Sequence, residues 1–527
     1  MVKIDGNPYS PQNLIPHFDY DSSLNAAAKK EGKLCPKGQA GIETLYDNYR
    51  IRKVLKRAGP RGSNKWKTIS LDQAVEEIVN GGRLFEDIGE EREVEGLRDM
   101  FVLKESELSK FMQAGTEKIK DKKMTVSAFK EQYRDHLHIL IDPDHPDLGP
   151  KNNQFVFLAG RIEHGRKEFM KRFTYDAFGS VNAVRQPASK PITENTIVDG
   201  EEMPICMESF LIAIAKRLGL SGFGSSGFGQ GRDFDRPEDF YLKAIANIAM
   251  GDKENNSVPE ADEHEIALFR NARKHLPDSV FNEEKWRKAT GDEYWNKVLY
   301  VLNRGGRFED SNGAYDGNYI KHKFGKMFNI YIEDVATSKN TMTGEYFKGI
   351  PIFEPIKDAS GNEIEDKDYD FKLITYKDIL GGQSRTRPAD YWLGELVNEN
   401  RILMNKLDVQ ELGLKDGEEV KLVSKTNPTG TFDIGGGKRL SVKGKIKAIH
   451  GIRPGVVAVS WHYRHWAYGS NDVIIDGHIV KGDKRRGKGL TPNPVMREDK
   501  TVSNVCLTDP IGGSASFYDT WVNILKA

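Results

Sequence analysis

Residues 441–449, SVKGKIKAI, set Val442, Gly444, Ile446 and Ala448 in alternation with Lys443, Lys445 and Lys447. A period of two sends successive side chains to opposite faces, so the stretch predicts a β-strand with one buried and one wet face. Outward from it the text stays β. Upstream lie a single short helical pattern near DVQELGL (408–414) and the turn dipeptide Asp416-Gly417. Downstream come Pro454-Gly455, the apolar run GVVAVS and then VII and HIV separated by Asp476-Gly477. Two such residues between apolar runs predict a hairpin. From Arg387-Pro388 to the end, short β runs and turn dipeptides predict a compact barrel of roughly 140 residues, a common domain size.

The middle of the chain reads as α/β. QFVFLAG (Gln154–Gly160) is a continuous apolar run, and Ile162, Phe169, Phe173 and Phe178 follow at helical spacing, which predicts a buried strand feeding a helix. KVLYVLNRGG predicts a second such unit, with Val298–Leu302 as the buried strand and Gly305-Gly306 as the turn leaving it. In WKTISLDQAVEEIV, Ala74, Val75, Ile78 and Val79 share a helical face after a Ser70 cap, with Gln73 three residues on. Residues 103–137 crowd Lys, Glu and Asp around Leu108, Phe111 and Met112, predicting a solvated helical insertion. The first sixty or so residues, rich in Gly, Pro, Asn and Tyr, read as loops laid over a surface, a piece of a domain rather than a core.

Composition narrows the function. At 527 residues, with 38% hydrophobic and 30% charged residues and a mean hydropathy of −0.59, the chain has the make-up of a soluble, multidomain protein. No apolar run approaches the ~18 residues of a membrane span. Lys plus Arg equals Asp plus Glu at 78 each, so the field that gathers nucleic acid is missing and no nucleic-acid partner is expected. Cys35, Cys206 and Cys506 lie far apart with no Cys-x-x-Cys, which argues against a disulfide framework or a self-contained zinc site. The first thirty residues show no export signal.

Four motifs carry chemistry. SGFGSSGFGQGR holds a literal G-x-G-x-x-G at Gly222, Gly224 and Gly227, but it follows a helical rather than a strand pattern and reads as a loop. Gly160–Lys167 resembles a phosphate loop, yet Arg166 and Lys167 stand where Lys and Ser/Thr belong; an anion contact at the helix start stays open beside plain surface charge. WHYRHWAYG packs Trp461, His462, His465 and Trp466 at a strand end. Donors and flat faces there suit a large heteroaromatic cofactor, and pattern alone leaves a structural corner equally open. Cys35, in LCPKGQAG, has no partner in its own neighbourhood.

GNPYSP followed by LCPKGQAGIETLYDNYRIRKVLKRAGPRGSNKWKTISLDQAVEEI resembles the N-terminal region of catalytic subunits of the molybdopterin oxidoreductase (dimethyl sulfoxide reductase) superfamily. IDPDHPDLGPKNNQ, EHGRKEFMKRFTYDAFGS, VLYVLNRGGRFED and HYRHWAYG look most like its tetrathionate reductase branch. GGQSRTRP, NRILMNKLDVQELGLKDGEEVKL and SNVCLTDPIGG resemble the C-terminal cofactor domain. The resemblance implies an α/β multidomain fold with Rossmann-like layers and a C-terminal double-psi β-barrel. It implies boundaries of 1–62 (remnant of an iron–sulfur domain), 63–375 (α/β domains, shortened at a junction near 181–200) and 376–527 (dinucleotide-binding barrel). It implies Ser384, Arg385, Thr386, Asn405, His462, His465, Trp466, Asn504 and Asp509 as cofactor contacts. Cys35 matches the last thiolate of a [4Fe-4S] cluster, and Lys37 the catalytic lysine between cluster and pterin.

By the same resemblance the cofactors are molybdenum bis(molybdopterin guanine dinucleotide) and the [4Fe-4S] cluster. The substrate is a small sulfur oxyanion. The partners are a quinol-oxidising membrane anchor and a ferredoxin-like iron–sulfur electron-transfer subunit, at the periplasmic or outer face of the cytoplasmic membrane. The activity implied is reduction of tetrathionate to thiosulfate, with arsenate, selenate or polysulfide as alternatives and a non-catalytic cofactor-binding remnant as the contrasting reading. The family's first three cluster cysteines precede GNPYSP, and after DAFGS the family continues through a long stretch that carries its metal-ligand cysteine. This chain runs instead to Cys206, whose PICMESF context reads as a helix start. The polypeptide as written is therefore expected not to turn over by itself.

Overall fold

The computed structural model describes residues 4–11, 13, 18–30, 32–104, 106–159, 164–185, 196–198, 201–203, 206–309, 315–321, 329–381, 390–435, 437–467, 469–502 and 505–527. The first residues build no core of their own. Single helical turns at Pro36–Gln39 and Gly41–Leu45 are followed by an antiparallel hairpin of β1 (Val54–Arg57) and β2 (Lys65–Ile69). Ser70 then caps the helix Leu71–Asn80, its hydroxyl accepting from Gln73 N at 3.0 Å. Ala74, Val75 and Val79 face inward as their spacing predicts, whereas Ile78 lies at the edge of the stripe and is 39% exposed.

That helix packs on Met207–Leu218 around a cluster of phenylalanines, Phe169, Phe173, Phe178, Phe223 and Phe234. β3 (Phe157–Ala159) precedes the helix His164–Lys171 and its π-helical extension Arg172–Ala177, and pairs in parallel with β4 (Ala183–Arg185). The strand-to-helix order follows the sequence, but the strand is not buried throughout: Leu158 is 59% exposed. A clearer correction concerns Val298–Leu302. These residues belong to a ten-residue helix, Trp295–Arg304, in which Trp295, Val298, Leu299 and Val301 are buried and Gly305 closes the end at φ 68°. A short apolar run fits a buried helix as well as a strand, and the glycine read as a turn leaving a strand is the left-handed cap of a helix. The charged insertion forms Ser106–Lys120 and Val126–Gln132 around a small core of its own, with Met112, Phe129, Tyr133 and Ile139. Among the described residues the middle region is thus mainly helical, with one parallel strand pair.

The β-rich end closes into a six-stranded barrel. Its strands are β5 (Phe371–Tyr376), β6 (Ile402–Asn405), β7 (Glu419–Ser424), β8 (Lys443–Ile449), β9 (Val456–Ser460) and, after a hairpin of β10 (Val473–Ile475) and β11 (His478–Val480), β12 (Thr520–Lys526). The order round the barrel is β5-β9-β6-β8-β7-β12. Pairs β5·β9 and β6·β8 are parallel and the other four antiparallel. Alternation decides the inside: Val442, Gly444 and Ile446 face the core with Leu373, Met404, Leu422 and Val457, while the lysines of β8 face solvent. Gly444 is required by proximity, since a Cβ there would stand 2.1 Å from Leu490 Cδ2.

Asp476 and Gly477 take φ values of 51° and 81°, the left-handed pair that a tight two-residue hairpin needs. The hairpin forms, but not within the barrel: β10 pairs in parallel with β2, giving a four-stranded sheet β1-β2-β10-β11. Asp476 fastens it by accepting from Thr68 N and Thr68 Oγ1, each at 2.8 Å. A second tie joins the N-terminal residues to the helical middle. Arg304 lies 3.4 Å from the Tyr300 ring centroid, donates to Tyr20 O at 3.0 Å and pairs with Glu265 at 2.8 Å.

Candidate functional site

β9 delivers its apolar residues into the barrel and ends at Ser460, so the next residues turn across the barrel mouth. His462 is there 1% exposed. Arg464 takes φ 55°, unusual for a residue with a bulky side chain, and is held by its N–H donating to Lys488 O at 2.8 Å and its guanidinium to Gly487 O at 3.2 Å. Facing this corner is the turn 378–381. Asp378 accepts from Ser460 Oγ at 3.2 Å, from Tyr463 OH at 3.0 Å and from Leu380 N at 2.9 Å. Gly381 then passes so near His462 that a Cβ would stand 2.3 Å from Cδ2 of the ring. The turn leads directly into Ser384, Arg385 and Thr386, which lie outside the described residues, as does Asn504.

The N-terminal turns dock on this same turn. Lys37 Nζ donates to Ile379 O at 2.6 Å. Cys35, exposed, is the N-cap of Pro36–Gln39. Partial burial works against its thiolate, but the N–H groups of Gly38 and Lys37 and the Lys37 charge together outweigh this and hold the thiol below its usual range. Thr44 Oγ1 donates to Asp390 at 2.9 Å, and Trp392 N donates to Glu43 at 2.9 Å. Arg486, 5% exposed, grips both Asp47 carboxylate oxygens at 2.6 and 3.0 Å, donates to Tyr391 OH at 2.9 Å and stacks 4.3 Å over Tyr49. Burial disfavours its charge, yet the Asp47 and Tyr391 contacts prevail and its pKa is raised. Tyr391 OH in turn donates to Asp483 at 2.8 Å. Asp483 is kept far below the usual carboxylate range, chiefly by hydrogen bonds from Arg485.

Between these groups opens a cavity of about 180 Å³, lined among others by His462, Tyr463, Tyr391, Arg485, Arg486 and Lys488. Asp390 and Glu395 line it too, and Arg485 and Arg486 already pair with Asp483 and Asp47, so the wall is mixed in charge and offers donors and aromatic edges to a polar heteroaromatic group. Trp461 Nε1, beside the corner, is enclosed with no hydrogen-bond partner among the described residues. The donors therefore fit a phosphate or ring edge of a pterin dinucleotide. The size fits only one end of one such group, because pockets for whole drug-sized ligands run from roughly 300 to 1,000 Å³.

The other sequence-derived candidates have distinct places. His465 is half-buried in the same corner with its Nε2 enclosed, and Trp466 is half-exposed against Phe432 at 5.4 Å. Asn405 caps the helix Lys406–Glu411, its Oδ1 accepting from Leu407 N at 2.8 Å and its Nδ2 donating to Ile452 O at 2.6 Å. Asp509, exposed, folds its own loop by accepting from Ile511 N and Gly512 N. Cys206 is the N-cap of Met207–Leu218, and burial pushes its thiol up. The glycine loop encloses a guanidinium rather than a phosphate: Arg172 donates to Gly222 O and Gly227 O between the rings of Phe223, Phe228 and Phe234. Arg166 pairs with buried Glu208 at 2.6 Å, and Tyr241 OH donates to the same carboxylate. Among the described residues no three of His, Cys, Asp and Glu gather as a metal-binding group. Asp378, Gly381, Asn400 and Arg486 were missed by sequence reading. Buried Asn400, which donates to Ser460 O and Leu490 O and accepts from Leu490 N, had no local signal, whereas Gly381 opens the stretch GGQSRTRP.

No family model matches the chain. A selenate reductase of Mesobacillus selenatarsenatis is 28% identical in an alignment 968 positions long that covers all of this chain and 92% of that protein. A tetrathionate reductase of Salmonella typhimurium is 30% identical over 342 positions, 63% of this chain and 31% of its own length. Its namesake in Archaeoglobus fulgidus is 38% identical over 226 positions, 36% of this chain and 20% of its own length. The chain thus spans under a third of either tetrathionate reductase. Against the selenate reductase, its 527 residues leave over four hundred alignment positions opposite no residue. The similarity to the selenate reductase covers both the lysine segment and the barrel it docks on, and the chain is similar to molybdopterin-containing reductase catalytic subunits, the selenate and tetrathionate reductases among them.

Proposed function

We propose that the chain is the cofactor-gripping part of the catalytic subunit of a molybdenum-dependent reductase, and that its substrate is tetrathionate. The observation that carries the reading is the docking of Lys37 onto the 378–381 turn opposite His462. The lysine segment and the HYRHWAYG segment, some four hundred residues apart, both contact the 378–381 turn: Lys37 donates to Ile379 O, while His462 and Tyr463 lie against Gly381 and Asp378. The barrel's closed six-stranded order supports the double-psi assignment, and the parallel pair β3·β4, followed by a helix after β3, supports a Rossmann-like layer in the middle region.

When bound, the molybdenum–pterin group would supply two-electron reduction: tetrathionate plus two electrons gives two thiosulfates, with the S–S bond broken and no proton consumed. The chain's own residues hold and orient. Lys488, beside the ion-paired Arg485 and Arg486, presents positive charge to phosphate, and His462 and Tyr463 present ring edges fixed by Gly381 and Asp378. Lys37 fixes the turn through its carbonyl contact. Ser384, Arg385, Thr386, Asn405, His465, Trp466, Asn504 and Asp509 complete the proposed contacts, and Cys35 is the one proposed cluster thiolate. A quinol-oxidising anchor, a site outside the cytoplasmic membrane and an iron–sulfur subunit belong to the same proposal. Selenate is the second substrate reading, because the similarity to a selenate reductase runs the length of this chain.

The test is substrate-dependent oxidation of reduced viologen by the subunit completed with the missing positions. Faster oxidation with tetrathionate than with selenate supports the first reading. The reverse order replaces it with the second, and no oxidation with either refutes both. The 527-residue chain alone is expected to show none.

A further inference from the structure

The parallel pair β5·β9 brings two chain ends to one place. Its register sets Tyr376 beside Ser460, and Trp461 N donates to Tyr376 O at 3.3 Å, so both strands stop at the same mouth of the barrel. The turn 378–381 follows β5 and the corner 461–465 follows β9. One carboxylate joins them. Asp378 Oδ2 accepts from Ser460 Oγ and from Tyr463 OH, on residues that are 1% and 4% exposed, while Oδ1 accepts from Leu380 N and so shapes the turn itself. Gly381 N closes the turn on Asp378 O at 3.0 Å. Hydrogen bonds to an ionised acceptor are stronger than neutral ones, and a set converging on one enclosed group fixes geometry as well as contributing energy.

The turn held in this way reaches two other segments. Ile379 points its side chain outward, and its carbonyl accepts from Lys37 Nζ at 2.6 Å. Gly381 backs the His462 ring so closely that no methyl group fits between them. Among the described residues no hydrogen bond or ion pair joins Asp378 to Lys37, so any influence of the one on the other passes through the turn.

We propose that Asp378 is a positioning residue: by locking the 378–381 turn to the corner after β9, it sets the Lys37 ammonium and the His462 ring in one fixed relation at the barrel mouth. The inference rests on the reading of Lys37 and His462 as cofactor-side groups and adds that their relative placement depends on a carboxylate bonded to neither segment's charged or aromatic group. Sites of this kind work only when such supporting bonds hold the contacting groups in register.

The experiment uses the full 527-residue chain and follows amide exchange at 36–39 and 461–465 in Asp378→Ala, Lys37→Ala and the double variant. Asp378→Ala should speed exchange at 36–39 at least fivefold, as should Lys37→Ala. The double variant should match the single ones, since all three break the same link and effects within one network do not add. Asp378→Asn, which keeps one acceptor oxygen, should recover part, and the same cycle run with it decides the matter where Asp378→Ala loosens the whole barrel. Faster exchange at 461–465 with 36–39 unchanged would make Asp378 a local fastening of the barrel mouth and overturn the proposal, as would effects of the two substitutions that multiply. In the subunit completed with the missing positions, Asp378→Ala should lower kcat with KM for the substrate little changed, and a raised KM at constant kcat counts against the proposal. A completed subunit inactive with either substrate refutes the proposed function, while the exchange cycle still decides the role of Asp378.

Discussion

Arg486→Ala should release the N-terminal turns from the barrel without unfolding the barrel itself. Arg486 makes two hydrogen bonds to Asp47, a third to Tyr391 and a stacking contact with Tyr49, all nearly enclosed. Its removal leaves the Asp47 carboxylate, 12% exposed, without its counter-charge. Breaking a buried pair from one side costs about 3–5 kcal/mol, far more than the pair's net worth. That cost falls on the equilibrium between docked and undocked turns, because the barrel core of Leu373, Met404 and Leu422 does not involve Arg486. Amide exchange at residues 36–50 should therefore speed up by about two to four powers of ten, one per ~1.4 kcal/mol, up to the limit of free exchange, while exchange in β5–β9 stays unchanged. Arg486→Lys should recover only part, since an ammonium cannot reproduce the fork that holds both oxygens. Unaltered exchange at 36–50, or equal acceleration in the barrel strands, would refute the reasoning.

Three further expectations follow from the geometry. Gly381→Ala places a methyl group against the His462 ring, and overpacking of this kind costs about 1–3 kcal/mol; the melting temperature should fall and pterin retention should drop sharply, with retention at the wild-type level as the contrary result. Cys35 should alkylate faster with iodoacetamide at neutral pH than Cys206 or Cys506, whose thiols burial pushes up, and Lys37→Ala should slow it, as mass spectrometry of the labelled peptides would show. Asp483 is depressed in the folded state, so its contribution is complete above the ordinary carboxylate value near 4 and is lost as pH falls through the lower folded value. The hold of Asp483 on Arg485 and Tyr391 should therefore weaken on acidification below about pH 4, seen as faster amide exchange at 483–488, and Asp483→Asn should flatten that dependence.

The parts legible in the sequence are those decided by near neighbours. SVKGKIKAI showed its buried face because alternation is local, and Asp476-Gly477 announced its hairpin because the two φ values belong to the turn itself. The hairpin's sheet was invisible, since β10 pairs with β2 some four hundred residues earlier. KVLYVLNRGG was misread because a short apolar run carries too little periodicity to separate a buried helix from a strand. The same division holds at the site. His462 stood out by its aromatic surroundings and Lys37 by its motif, but Asp378, Asn400 and Arg486 act across long loops and have no local mark. Asn405, singled out by resemblance, has one acceptor and one donor committed to a helix cap and a neighbouring carbonyl.

The most direct test of the account is the pterin and molybdenum content of the purified 527-residue chain, expressed in a host that makes the dinucleotide cofactor. Elemental mass spectrometry would measure the metal, and fluorescence after oxidation the pterin. Pterin is expected in roughly equimolar amount, one per chain rather than two, because the cavity lined by Tyr391, His462 and Arg486 admits one end of one such group. A chain that emerges folded, with its 36–50 segment docked and no pterin at all, would contradict it.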